Sequence, residues 1–167
     1  MNFIDLIFSA GDAFRWINKE KFMCYMVYIS TDSPKNLAES NSELIRFEKV
    51  TDTTSEPCLS VLEFTNKWEV DSKSGCSCTF RHLYINSIEL GFSEPVDWYE
   101  EGEDELNATG QLYQVLNDIM SSGYHVDLVD RWQGAQPEDI TTLEVSFNDV
   151  QRRSFRMFEN HKFRLKK

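Results

Sequence analysis

Glycine and proline are sparse, with only seven and four in 167 residues, and the Gly-rich signatures of nucleotide binding are missing. There is no Walker loop, no dinucleotide fingerprint, no His-Glu-x-x-His zinc motif and no serine elbow, so no cofactor is expected. Four cysteines (Cys24, Cys58, Cys76, Cys78) are too few to staple a chain of this length. Long apolar runs are missing as well. The stretch Phe3 to Phe8 is interrupted by Asp5 and has no cationic segment before it, so neither a signal peptide nor a membrane span is expected. The setting that fits is cytoplasmic, with reduced thiols. Positive charge is in deficit: 17 Lys and Arg against 28 Asp and Glu leave a net −11, which argues against nucleic-acid binding.

What is present is enough apolar matter for one core. Apolar residues make up 41% and aromatics 13% of the chain, so a single folded domain over 1–167 is expected, with 1–21 as an N-terminal helical element that could be appended to it. The charge is uneven. Residues 152–167 carry seven Lys and Arg against one Glu, which leaves −17 over residues 1–151. A basic end on an acidic body is expected to fold back onto it.

The periodicities give an element order. Phe3, Ile7, Ala10, Phe14 and Ile17 line one face of a helix over 2–19. Residues 22–31 are aromatic and branched throughout, as in a strand buried on both faces, with Cys24 as a small core hydrophobe. Leu44 to Val50 reads as a second strand. From Leu62 the apolar residues alternate (Leu62, Phe64, Trp68, Val70), the turn Ser72-Lys73-Ser74-Gly75 follows, and the pattern resumes as Cys76, Cys78, Phe80, His82 and Tyr84. This predicts a hairpin over 68–84 that sets Val70 opposite Cys76 and Trp68 opposite Cys78, both thiols facing the core.

Six carboxylates then fall within the nine residues 97–105, immediately before a helix over about 103–122 with Leu112, Leu116 and Ile119 on its apolar face. Strands are expected at 124–130 and 141–147, and residues 163–167 suit an edge strand guarded by lysines. The sum is an α+β fold, a largely antiparallel sheet of about five to seven strands with helices at 2–19 and 103–122 packed on it.

Candidate chemistry is thin. Cys76 and Cys78 on a strand would lie about 6.5–7 Å apart at Cα, poor for a disulfide, but two thiolates could clamp a soft metal if Cys58 or His82 joined them. His82, on the same expected inner face, could act as a general base if Glu94, Asp97 or Asp130 came beside it. Trp98, Tyr99 and the acidic run offer an aromatic and acidic surface for a basic peptide or a cationic ligand.

Trp68-Glu-Val-Asp-Ser, Gly75-Cys-Ser-Cys-Thr-Phe-Arg, Glu89-Leu-Gly-Phe-Ser-Glu-Pro95-Val-Asp-Trp98, Val126-Asp-Leu-Val-Asp130 and Phe158-Glu-Asn-His-Lys-Phe163 resemble segments of a group of small uncharacterised bacterial proteins. The resemblance covers residues 62–165, leaves out the helix at 2–19, implies a bacterial cytosolic setting and carries no catalytic residue. Two function classes follow from the residues. The first is a non-catalytic interaction protein that neutralises a basic protein partner, as immunity proteins do. The second is a small-molecule or metal-binding protein, or an enzyme, whose site lies near the 68–84 hairpin and uses Cys76, Cys78 and His82. The residues leave open whether the domain is an enzyme.

Overall fold

In the computed structural model, which describes residues 24–73, 75–99 and 101–167, the apolar run after Cys24 forms β1 (Tyr25–Thr31). Its composition is explained by its place. It lies inside a six-stranded sheet, between β3 (Asn66–Ser72) and β5 (Val126–Trp132). β2 (Ile45–Lys49) closes one side beyond β3. β8 (His161–Lys166) and then β6 (Thr141–Ser146) complete the other. All pairs are antiparallel except β6 with β8, which is parallel. The expected helix over 2–19 lies outside the described residues. Among those described, no helix is long and apolar enough to cross a membrane.

The helix α1 (Glu103–Ser121) covers one face. Leu112, Leu116 and Ile119 bury against Val27, Ile29, Trp68, Val70, Leu128 and Phe163, the α1-facing residues of four neighbouring strands. Three acidic residues in its first turn complement the helix dipole, and the Glu105 side chain accepts the Gly102 N–H at 3.0 Å. Gly123 ends it at a φ of 87°, a conformation that costs glycine nothing. The other face holds a smaller apolar cluster of Tyr28, Leu62 and Val129.

The predicted 68–84 hairpin does not form. After β3 the chain turns at Gly75 and enters a short 3-10 turn, Ser77–Thr79. The serines explain this. Ser77 Oγ accepts from Val27 N at 2.9 Å and donates to Val70 O at 2.8 Å, so it plugs the ladder where β1 and β3 part. Ser72 Oγ donates to Cys76 O at 2.5 Å and accepts from Thr79 N at 3.0 Å. Side-chain bonds of this kind compete with strand pairing. Ser77 therefore takes the inner position assigned to the cysteines, while Cys76 is half-buried and Cys78 exposed. Cys24 precedes β1 and is also only half-buried.

The chain then forms β4 (His82–Leu83), which pairs in parallel with β7 (Met157–Phe158) as a ribbon apart from the main sheet. Arg81 and Arg156 stand one place before the paired residues His82 and Met157, so the ribbon sets them side by side. Both are buried, and one carboxylate serves both: Glu101 receives Arg81 in bidentate fashion at 3.0 Å and Arg156 at 3.1 Å. Arg81 also donates to Ser93 O and Phe155 O, and Arg156 to Ser93 O. Burial, together with the neighbouring Arg81 charge, holds the Arg156 guanidinium below its ordinary range.

The basic end does fold back. Lys162, buried on β8, meets Glu63 at 2.7 Å and Asp127 at 3.1 Å, and Arg164 and Lys166 pair with Glu63 and Glu144. This strand is not the expected edge, because β6 lies outside it.

Glu101 should be the costliest surface-remote carboxylate to remove. Glu101→Gln leaves two buried guanidiniums without a counter-charge and should lower stability by about 3–5 kcal/mol, read from the urea midpoint at unchanged m-value. Glu94→Gln breaks only the exposed pair with Arg153 and should cost less than about 1 kcal/mol.

Candidate functional site

The same ribbon builds a cleft of about 440 Å³ in front of the guanidiniums. Its walls are aromatic: Tyr25, Phe80, Tyr84, Trp98 and Tyr99 line it together with His82, Cys78, Arg81, Glu101 and Glu105. Tyr25 comes from the start of β1 and stacks on the His82 ring at 3.9 Å with the planes 8° apart. Tyr84 lies 6.3 Å from Tyr25 and 5.9 Å from Tyr99, which in turn meets Trp98 edge-on at 5.9 Å. Tyr99 is pinned at both lone pair and proton, for its hydroxyl accepts from Tyr84 N and donates to His82 O, each at 3.0 Å. At the mouth Tyr84 is 52% and Trp98 70% exposed, unusual for rings of that size.

His82 and Asp130 come together and Asp97 does not. Asp130 stands on the α1-facing side of β5, in step with Val126 and Leu128, and is fully buried. Its Oδ2 lies 2.7 Å from His82 Nδ1, while His82 Nε2 lies 2.7 Å from Ser77 O. A carboxylate and a carbonyl, both acceptors, thus face the two ring nitrogens. The pair satisfies both only when it holds two protons, either as imidazolium with carboxylate or as neutral imidazole with carboxylic acid. Burial pushes the Asp130 carboxyl up and the His82 ring pulls it back. Neither ring nitrogen faces the cleft, so His82 presents no lone pair to a molecule bound there. Asp97 is exposed, outside the residues that line the cleft.

The thiols are arranged differently from the sequence expectation. Cys58 is buried elsewhere, its Sγ donating to Ala135 O at 3.5 Å, and His82 has both nitrogens engaged. Cys24 instead joins Cys76 and Cys78, with all three sulfur atoms within 4.8 Å of one another. Nothing in the sequence marks Cys24 for this: it reads as one more small residue in an apolar run. Tyr25 and Tyr84 were equally illegible as cleft walls, because one opens β1 and the other follows β4, far apart in sequence and brought together only by the tertiary fold. Desolvation, followed by hydrogen bonds with the neighbouring thiols, pushes the Cys78 thiol up to about 12.

No protein-family model, curated protein or solved structure matches the chain.

Exposure and reactivity should therefore part company at Cys78. In reduced, chelator-treated protein at pH 8 its alkylation should run at least about tenfold slower than in the urea-unfolded chain, where an ordinary thiol titrates near pH 8.5. The native rate should still be climbing with pH beyond that point. Mass-spectrometric timing of the Cys78 adduct across pH 7–10 measures both.

Proposed function

We propose that the protein is a non-catalytic binding protein whose aromatic cleft receives a cationic side chain of a basic protein partner. The observation that carries this is the unbroken series of rings from Tyr25 to Trp98, which leads from a buried floor to a strongly exposed indole. Aromatic faces attract a guanidinium or ammonium through their quadrupole, and Trp does so best. The surroundings carry the matching sign. Glu105 lines the cleft, and Asp97, Glu103 and Asp104 lie exposed in the segment that bears Trp98 and opens α1.

Two features favour binding over reaction. His82 and Asp130 satisfy one another and a backbone carbonyl, and the Cys78 thiol is held in its protonated, weakly nucleophilic form. The arginine at the back of the cleft, Arg81, is engaged by Glu101, a carboxylate that it shares with Arg156. The acidic exterior adds long-range attraction for a basic partner, which raises its association rate more than its final affinity. A reducing, cytoplasmic location belongs to this reading.

An arginine-rich peptide should quench or shift the indole fluorescence and bind more weakly as salt rises, while a glutamate-rich peptide of equal length should not bind. A cation–π contact of about 1–2 kcal/mol predicts that Trp98→Ala weakens the arginine peptide roughly 5- to 30-fold. Indistinguishable binding of the two peptides, or full affinity in Trp98→Ala, would sink the reading.

A further inference from the structure

We propose that Cys24, Cys76 and Cys78 form a binding site for a thiophilic divalent cation of the zinc class, held by three thiolates with a fourth position open to solvent. The three sulfurs come from two separate segments, the lead-in to β1 and the 3-10 turn after β3, yet converge within 4.8 Å of one another. Thiolates around a tetrahedral zinc, at about 2.3 Å from the metal, stand about 3.8 Å apart, so closure requires a contraction of no more than about 1 Å. The turn itself is suited to the task. Cys76 caps it, and its Sγ accepts the Cys78 N–H at 3.4 Å, which brings the two thiols of a Cys-x-Cys pair together on a turn instead of spreading them along a strand.

The charge of the surroundings selects the ion. A second cleft, of about 250 Å³, is lined by Cys24 and Cys76 together with Glu69 and Asp71, and no Lys or Arg is among its described lining residues. Both carboxyls are pushed above their ordinary range, chiefly by burial. Three thiolates beside them need positive charge. A divalent ion leaves the sulfur shell at −1, whereas a monovalent soft ion such as cuprous copper leaves −2 next to two partly buried carboxyls. Zinc and its thiophilic divalent relatives are the better match.

Binding replaces three S–H bonds by three metal–sulfur bonds and releases the protons to solvent. Because the metal displaces those protons, affinity should rise with pH. The site also bears on the first cleft without depending on the function proposed for it. Cys78 lines that cleft, and Tyr25, next to Cys24 in the chain, lines both. An ion between the thiols would fix the start of β1 against the turn and hold the Tyr25 ring on His82.

The test uses the full chain, reduced and stripped with a chelator, then titrated with Zn²⁺ against a chromophoric competitor. One equivalent should bind, and Cys24→Ser, Cys76→Ser and Cys78→Ser should each weaken it by at least about tenfold, the loss expected when even a supporting group of a metal site is removed. Co²⁺ in place of zinc should give thiolate-to-metal charge-transfer absorption that the same substitutions abolish. Since a substitution in the turn can disturb folding, alkylation mapping of the unaltered protein provides a second measurement: Zn²⁺ should protect Cys24, Cys76 and Cys78 together. Uptake well below one equivalent, protection of only one or two of the three thiols, or a disulfide within the trio that persists in reducing buffer would overturn the site.

Discussion

Two guanidiniums side by side need a carboxylate between them, and much of the molecule is arranged to supply it. The parallel pairing of β4 with β7 leaves Arg81 and Arg156 adjacent and out of water. Glu101 answers both, and it stands two residues ahead of α1, so the start of the helix is held to the ribbon by charge. Buried ion pairs are weak evidence for stability, because desolvation offsets most of the attraction. Here the network does something else. It fixes one relative placement of the ribbon, the 93–94 segment and the helix start, and those same pieces carry Trp98, Tyr99 and Tyr84. The cleft takes its shape from an electrostatic requirement behind it.

The division of charge follows a similar logic. Several cations of the basic end meet the body's carboxylates: Arg156 with Glu101 on one side, Lys162 and Arg164 with Asp127 and Glu63 on the other face of the sheet. With those cations engaged elsewhere, Asp97 and Glu103 remain exposed to solvent, while Asp104 meets the exposed Lys73 at 3.6 Å. The cleft thus sets aromatic walls beside an acidic mouth, with His82 and Asp130 bonded to each other behind them.

The sequence was most legible where one rule acted alone. Helix α1 could be read almost to the residue, because an apolar stripe, an acidic first turn and Gly123 all agreed. β1 was legible as a central strand from its unbroken apolarity, and the alternation of Trp68 and Val70 held in β3. The six-stranded, mainly antiparallel α+β architecture followed. The hairpin expectation failed because a two-residue period in Cys76, Cys78, Phe80 and His82 is also what a serine-braced turn followed by a short ribbon happens to produce. Ser77, at a position that alternation sends outward, is 1% exposed because its hydroxyl completes two backbone bonds. The burial of Arg81 could not be foreseen without Glu101 and Arg156, 20 and 75 residues away. Pairings at that separation leave no local trace in composition or period.

The position of β8 has a consequence for how the chain reaches this state. Among the described residues β6 pairs with β8 alone, and β8 follows it in sequence, slotting between β5 and β6. Until β8 is in place, β5 shows a bare edge and β6 has nothing to pair with. Docking of β8 between β5 and β6 therefore requires the 141–166 segment to be ordered against β5, a non-local closure that topology makes slow. Without β8, β5 would present the kind of unpaired edge through which partly folded chains associate. Lys162 fills that gap against two counter-charges, Asp127 on β5 and Glu63, so the strand that covers the edge is also the one that neutralises the carboxylates beside it.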